Sequence, residues 1–259
     1  MIIAVDAAGG EYAPHEIVKG AVKAAQDYGV GIALVGKKDI LSVQASRHLK
    51  KLNLTIVPAS ETIEDHESPT EAVNSKPDSS IVVGINLVKS RMASAFVSAG
   101  NTGAVLYSAL ITLGKIEGVE RPAIGSIISA NITSPVLLID AGANANCRPS
   151  HLVQFAQLGA IYSREVLGVA SPRVALLNTG EEETKGNRLT QETYRLLKET
   201  DLNFIGNVEG HGVARGSADV IVTDGFTGNI VLKALEGLGD TFLKLRNVGQ
   251  VFANAYHMQ

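Results

Sequence analysis

Six times a short apolar run gives way to a small, glycine-containing polar turn, and no other feature constrains the fold of this chain as strongly. The turns read Asp6-Ala-Ala-Gly-Gly10, Ser98-Ala-Gly-Asn-Thr-Gly103, Asp140-Ala-Gly-Ala-Asn144, Asn178-Thr-Gly-Glu-Glu-Glu-Thr-Lys-Gly-Asn187, Gly206-Asn-Val-Glu-Gly210 and Asp224-Gly-Phe-Thr-Gly-Asn229. Strand-like runs stand ahead of most of them, at 2–5, 95–97, 136–139, 174–177 and 220–222. If these strands lie parallel in one sheet, the turns converge on its carboxyl edge, where open α/β sheets bind ligands. Glycine lets backbone approach a ligand closely, and the N–H groups opening each following helix suit an anion. The pattern predicts a rim built around phosphate.

At 259 residues the chain is long enough for one large core or two small ones. An aromatic content of 5% with no Trp points to packing by Ala, Val, Ile and Leu, as in sheets buried on both faces. The net charge of −3 gives no bulk reason to expect a nucleic-acid partner. The single cysteine, Cys147, excludes an intramolecular disulfide and fits a reducing cytoplasm. The chain opens directly on strand-like Met1-Ile-Ile-Ala-Val5, so no signal peptide is expected. No apolar run approaches the roughly 20 residues of a spanning helix.

Strand and helix signals alternate along the chain, which predicts an α/β fold with a largely parallel sheet covered on both faces. Ile17, Val18, Ala21, Ala24 and Ala25 recur at helical spacing between Pro14 and Gly29. A strand is expected at 31–36, a basic helical segment at 37–51, a strand at 54–57 and a surface connection at 60–69. Asp78 or Ser79 is placed to cap a helix carrying Ile81, Val82 and Ile85, and Ser150 to cap one running to about Leu167. Strand 124–129 is expected to pair with 136–139 across Ala130–Pro135, strands follow at 202–205 and 218–223, and a helix starts at about 227. With no linker rich in Pro, Gly or Ser, one domain spanning 1–259 is the simpler expectation.

Among the turn residues, Lys185 is the most suggestive cation. It belongs either to a solvated charge run with Glu181, Glu182 and Glu183, or to a phosphate site as a point charge. Asn101 and Asn229 each stand where a helix begins, as caps or as donors to an oxyanion. Asp6, Asp140 and Asp224 would repel phosphate unless they bind a metal or orient the donors. There is no Walker loop, no Gly-x-Gly-x-x-Gly after the first strand and no Gly-x-Ser-x-Gly elbow. The histidines at 15, 48, 66, 151, 211 and 257 lack metal-ligand spacing, and nothing in the sequence activates Cys147. With no covalent nucleophile in view, the remaining mechanism holds two substrates together while phosphate itself attacks an activated carbonyl such as a thioester.

Ile3-Ala-Val-Asp-Ala-Ala-Gly-Gly10 with Ala13-Pro14, Ser98–Ala104, Arg121-Pro-Ala123, Asp140–Asn144, Leu176–Asn187, Asn203–Gly210 and Ala218–Asn229 form a series of blocks. In this order they resemble the PlsX-type phosphate acyltransferases of bacterial phospholipid synthesis, and the resemblance spans residues 2 to about 238. It implies a three-layer α/β/α fold like that of isopropylmalate dehydrogenase. It implies transfer of a long-chain acyl group from acyl-[acyl carrier protein] to inorganic phosphate, with no metal or organic cofactor, by a cytoplasmic homodimer in peripheral contact with the membrane. The positions it carries over as catalytic are Lys185 and Asn229, with Gly100, Asn101, Thr102, Asn144 and Gly228 binding phosphate or substrate.

The chain departs from that pattern at Ala8, where the family has Met, at Glu11 for Asp, and at His211-Gly212 for Arg-Asp. The family also continues with a Gly-Gly-Ala-Pro-Leu-Leu-Gly block and a His-Gly-Ser-Ser block that residues 249–259 do not match, so a domain shortened at its carboxyl end is expected. The implied carrier protein is acidic, and Lys37, Lys38, Arg47, Lys50 and Lys51 form the densest basic stretch, to receive it or simply as a solvated face. A last amphipathic helix carries Leu232, Leu235, Leu238, Phe242 and Leu245 among Lys233, Lys244 and Arg246, for core or dimer packing or for the membrane. Two other functions fit the same turns: a small-acyl phosphotransacetylase using coenzyme A, and an inactive phosphate-binding remnant.

Overall fold

The computed structural model of the chain describes residues 1–49, 51–128 and 135–256, with side chains for all of these except 240 and 242–256. Lys50, His257 and most of the expected 130–135 connection lie outside the described residues, as do the side chains of Phe242, Lys244, Leu245 and Arg246. The chain divides into two compact units, Met1–Ile116 and Glu117–Gln259. Each is an α/β layer structure with its own sheet.

The first unit runs β1 (Ile2–Asp6), α1 (His15–Tyr28), β2 (Gly31–Gly36), α2 (Lys38–Gln44), β3 (Leu54–Pro58), α3 (Pro69–Ser75), α4 (Ser80–Lys89), β4 (Ala95–Val97) and α5 (Thr102–Leu113). Its four strands are all parallel, in the order β3-β2-β1-β4. Side chains alternate along β2 with the strand period. Ile32 and Leu34 pack under Val18, Ala21 and Val22 of α1 and Leu41 of α2, whereas Ala33 and Val35 pack with Leu87 of α4 on the opposite face. With both faces covered, β2 is buried along its whole length and reads as one apolar run.

The second unit runs β5 (Gly125–Ile128), β6 (Val136–Ile139), α6 (Pro149–Glu165), β7 (Val174–Leu177), α7 (Arg188–Lys198), β8 (Phe204–Val208), α8 (Gly210–Arg215), β9 (Val220–Val222) and α9 (Gly225–Tyr256). The sheet order is β5-β6-β9-β7-β8, with only β5 antiparallel to its neighbour. Leu137, Ile139, Leu176 and Val220 meet Leu152 and Phe155 of α6 and Leu197 of α7. Leu138, Ala175 and Ile221 face the other way, toward Val213 of α8 and Val231 and Leu235 of α9.

The strands therefore form two sheets, not the single sheet the turn pattern suggested. Strand composition sets burial, but it does not say which strands pair, and the first unit's four apolar strands look like the second unit's. The β5–β6 pairing is as expected, and Ser79 caps α4 by accepting the Val82 N–H at 3.4 Å. The basic helical segment is shorter than 37–51. After Gln44 the His48 N–H bonds to the Ala45 carbonyl three residues back at 2.8 Å, which tightens the chain out of the α-helix. The strand expected at 202–205 lies at Phe204–Val208, and the short helices α3 and α8 were not anticipated.

Helix α6 begins one residue before Ser150, at Pro149, whose missing N–H costs nothing in a first turn. The cap comes from His151 instead. This ring is 2% exposed, and its Nδ1 accepts the Arg148 N–H at 3.1 Å. An accepting Nδ1 leaves the ring proton on Nε2, which faces the Glu120 carboxylate at 3.1 Å. Burial, then the charges of Arg121 and Arg148, hold the His151 pKa below its ordinary value, against the opposing pull of Glu120. The unfolded chain thus takes up this proton first as pH falls. The stabilisation from neutral His151 is present above about pH 6.5 and drains away as pH drops from there toward the depressed folded value. Thermal unfolding at pH 8 and pH 5 should show a loss of stability on acidification that is smaller in the His151→Gln variant, which keeps an acceptor and does not titrate.

Candidate functional site

In the first unit, β1 and β4 are neighbours, and the chain leaves β1 toward β2 on one side while β4 joins on the other. Their carboxyl ends form the kind of switch point at which open sheets bind ligands. Asp6, fully buried, closes the first turn: Oδ1 accepts the N–H groups of Ala8 and Gly9, both at 3.0 Å, and Oδ2 accepts the Ser98 hydroxyl at 2.6 Å. Ser98 in turn accepts the Gly100 N–H at 3.0 Å. Asn101 caps α5 by accepting the Ala104 N–H at 3.0 Å. Its amide donates to the carbonyls of Glu64, Asp65 and Glu67 at 3.2–3.3 Å, fastening that loop to the start of the helix. The Asn101 amide is thus committed to the fold, and Thr102 beside it is exposed.

Asp140 does the same work at the end of β6. It is fully buried, and Oδ1 accepts the N–H groups of Gly142 at 3.1 Å, Ala143 at 2.9 Å and Ile124 at 3.1 Å. Oδ2 accepts both the N–H and the side-chain amide of Asn144 at 2.8 Å. The Asn144 amide also donates to the Pro122 carbonyl at 2.8 Å, and its own carbonyl accepts the Gly225 N–H at 2.8 Å. The third turn is therefore locked to the opening of α9. Gly228 lies so close to the Asp140 carbonyl that a Cβ would overlap it, and the Asn229 side chain covers Gly142. Asn144, Gly228 and Asn229 are thus brought together, with Asn229 exposed and the other two held in the packing.

Between the ends of β7 and β9 lies a cleft of about 480 Å³, within the range of small-ligand sites. Asn178, Thr179, Thr223 and Gly210 line it together with the first turns of α7 and α9. From α7 come Gly186, Asn187 and Thr190; from α9 come Asp224, Thr227 and Val231. Asn187 caps α7 by accepting the Thr190 N–H at 3.0 Å. Asp224 caps α9 by accepting the Thr227 N–H at 2.9 Å and hydroxyl at 2.8 Å. By helix geometry the N–H groups of Arg188, Leu189 and Phe226 have no intrahelical acceptor. Two positive helix ends therefore open on one cleft, which favours an anion there.

Lys185 stands on the loop just before Gly186, exposed and outside the cleft's lining, with its stem against Gly180. Three amides hold the loop. Asn178 donates to the Lys185 carbonyl at 3.1 Å, Asn207 to the Glu182 carbonyl at 2.9 Å and Gln191 to the Thr184 carbonyl at 2.8 Å. Glu181, Glu182 and Glu183 are exposed, as the charge-run reading expected. Glu183 pairs with Lys198 at 3.2 Å, and no ion pair of Lys185 is found among the described residues. Thr190, Thr223 and Thr227 are cleft residues that sequence reasoning missed. A hydroxyl one turn into a helix carries no signature that separates a site from a cap.

Cys147 donates its thiol to the Asn144 carbonyl at 3.4 Å. Burial, then the Asp140 charge, pushes its pKa up to about 11, so it is a protonated thiol rather than a nucleophile. His211 pairs with Glu209 at 3.2 Å on the surface, and His15 lies 3.0 Å from Glu16, also exposed.

The family described as "Fatty acid synthesis protein" matches residues 1–252. A phosphate acyltransferase from Dehalococcoides mccartyi is 59% identical over 259 residues, all of this chain and 75% of that protein. One from Trichodesmium erythraeum is 49% identical over 245 residues, 94% of this chain and 72% of that protein. Among solved structures, the EutD phosphotransacetylase from Staphylococcus aureus aligns with a TM-score of 0.64 at 18% identity, over 93% of this chain and 82% of its own. A phosphotransacetylase from Streptococcus pyogenes aligns at 0.67 and 16%, over 92% and 82%. At those identities the likeness is one of fold.

The contact between α9 and the third turn is the tightest constraint around these residues. Gly228→Ala should force the helix off the Asp140 carbonyl and cost about 1–3 kcal/mol, the usual penalty for overpacking. Chemical denaturation of the variant checks this, and an unchanged midpoint would show that the helix is not seated there.

Proposed function

The chain belongs to the fatty acid synthesis protein family, and from that premise we propose that it transfers a long-chain acyl group from acyl-[acyl carrier protein] to inorganic phosphate, releasing acyl phosphate for phospholipid synthesis. One observation carries the reading: two helix N-termini open on a single cleft that Thr190, Thr223 and Thr227 help to line. Such a cleft suits a bound phosphate dianion, and the Thr227 hydroxyl, held by the Asp224 carboxylate at 2.8 Å, serves the cap of α9.

In this reading phosphate sits at the starts of α7 and α9, with the Lys185 ammonium closing over it from the loop. A phosphate oxygen attacks the thioester carbonyl carbon. The new C–O bond forms, the oxyanion collapses, and the C–S bond breaks. The departing thiolate takes up the proton that the attacking hydrogen phosphate gives up. Asn229 donates its amide N–H to the carbonyl oxygen as negative charge develops there. Gly100, Asn101 and Thr102 are assigned to substrate binding at the first unit's own sheet edge, and Asn144 and Gly228 act by holding the third turn against α9. Holding both substrates in attack geometry supplies up to roughly 7–11 kcal/mol of barrier lowering, enough for a carbonyl already activated as a thioester. The same reading makes the protein a cytoplasmic homodimer that meets the membrane at its periphery. No helix among the described residues is long and apolar enough to cross a membrane.

Acyl phosphate formed from palmitoyl carrier protein and inorganic phosphate tests the reaction. Product from acetyl-coenzyme A alone would assign the chain to small-acyl phosphotransacetylation, and phosphate binding without turnover of either thioester would make it an inactive remnant. Lys185→Ala and Asn229→Ala should each lower kcat by about 10²–10³-fold, the usual loss for an oxyanion donor. Both side chains are exposed, so melting temperatures should stay at the wild-type value. Near-wild-type rates in both variants would remove them from the mechanism.

A further inference from the structure

The start of α2 carries a feature that the phosphate cleft does not use. Between residues 37 and 51 the sequence holds five basic residues, Lys37, Lys38, Arg47, Lys50 and Lys51, against one acid, Asp39, in a chain whose net charge is −3. Lys37, Lys38, Arg47 and Lys51 are exposed, and no ion pair of any of the four is found among the described residues. Leu41 and Ala45 fasten the segment to the core of the first unit. The outward side then shows two branched aliphatics one turn apart, Ile40 at 45% and Val43 at 75% exposure. Ile40 and Val43 lie three residues apart on α2, with Lys37 at its cap and Arg47 in the turns that follow it, so in sequence the apolar pair is flanked by cations at both ends. A solvated helix face has no need of the apolar pair. A small hollow of about 150 Å³, walled by Ala7, Ala8, Lys37 and Ile40 among others, joins this stripe to the first turn at the carboxyl edge of the sheet.

We propose that the stripe Lys37–Ile40–Val43–Arg47, with Lys38 and Lys51 beside it, is the docking face for the acidic carrier protein that delivers the acyl group. The inference rests on the reaction assigned above and names the surface that receives its donor. Charge complementarity selects the occupant. A concentrated positive patch on an acidic chain attracts an acidic protein by steering, while Ile40 and Val43 supply a small apolar centre inside a charged rim. The patch lies beside the carboxyl edge of the first unit's sheet.

Equilibrium binding of the holo-carrier to the full chain reads this face whether or not turnover occurs. The Lys37→Glu/Lys38→Glu/Arg47→Glu variant should bind the carrier about 10–100-fold more weakly at low ionic strength. Salt near 0.5 M should narrow the gap by screening. An Ile40→Ser/Val43→Ser variant should bind several-fold more weakly at every salt concentration. In steady-state kinetics the KM for acyl carrier should rise in both variants, while rates with a carrier-free thioester of the same acyl chain stay at the wild-type value. Unchanged carrier affinity in both variants overturns the proposal, as does an equal loss with the carrier-free thioester. Loss of binding to phosphatidylglycerol vesicles with carrier affinity intact would assign the face to an anionic lipid surface instead. Carrier binding that is lost as described in a chain that makes no acyl phosphate would leave the docking face standing and overturn the reaction.

Discussion

The Asp140 carboxylate gathers the third turn, and the geometry around α9 depends on it. A charge buried at zero exposure is tolerated only when hydrogen bonds replace its water, and five donors do so here. Those bonds give Asn144 a fixed position, Asn144 holds the Gly225 N–H, and α9 therefore starts where Asn229 covers Gly142. Removing the carboxylate would strand donors at about 1–3 kcal/mol each and free the helix start. Asp6 plays the equivalent part in the first unit, joining the Ala8 and Gly9 N–H groups to Ser98.

This divides the glycine-containing turns into two chemical kinds. Where an aspartate ends the strand, as at Asp6 and Asp140, the carboxylate takes up N–H groups of the turn that follows. These turns are scaffolding that sets backbone position, and the anion-binding capacity attributed to them is spent inside the turn. Where an asparagine ends the strand, as at Asn178, its Oδ1 takes only the adjacent Thr179 N–H at 2.8 Å, and its amide is directed at the loop carrying Lys185. Asn178 puts no negative charge at its strand end, and the Asp224 carboxylate that lines the cleft is engaged by the Thr227 N–H and hydroxyl. That difference, one side-chain oxygen against one nitrogen, favours the second unit's cleft as the proposed anion site.

Much of this was legible in the residues. The unbroken apolar run at 31–36 marked a buried strand; of the two residues placed to cap α4 Ser79 does so, and Asn101, read as a cap or an oxyanion donor, is a cap. The partition into two sheets was not legible, because strand pairing is a long-range choice and β9, the last strand in the chain, inserts between β6 and β7. The roles of the aspartates were open for a related reason. Asp-x-x-Gly reads the same whether the carboxylate faces solvent or folds back on its own turn, and only burial decides. His151 displaced Ser150 as the cap of α6 since Pro149 moved the helix start one residue earlier, a shift that propensity alone does not resolve.

Placing the phosphate between helix starts also limits what the surrounding residues need to do. Asn187 and Asp224 cap the two helices from within the cleft wall, so each helix end is stabilised whether or not an anion is present, and the site is preformed. An anion entering it meets dipoles already oriented, which is the condition under which electrostatic stabilisation acts without a reorganisation cost. Lys185 differs in kind. Its backbone is fixed by the Asn178 amide, while its side chain is exposed with the stem against Gly180. Fixed dipoles with an exposed cation on the neighbouring loop suit the proposed reaction, in which phosphate must be held firmly yet leave as part of a larger product.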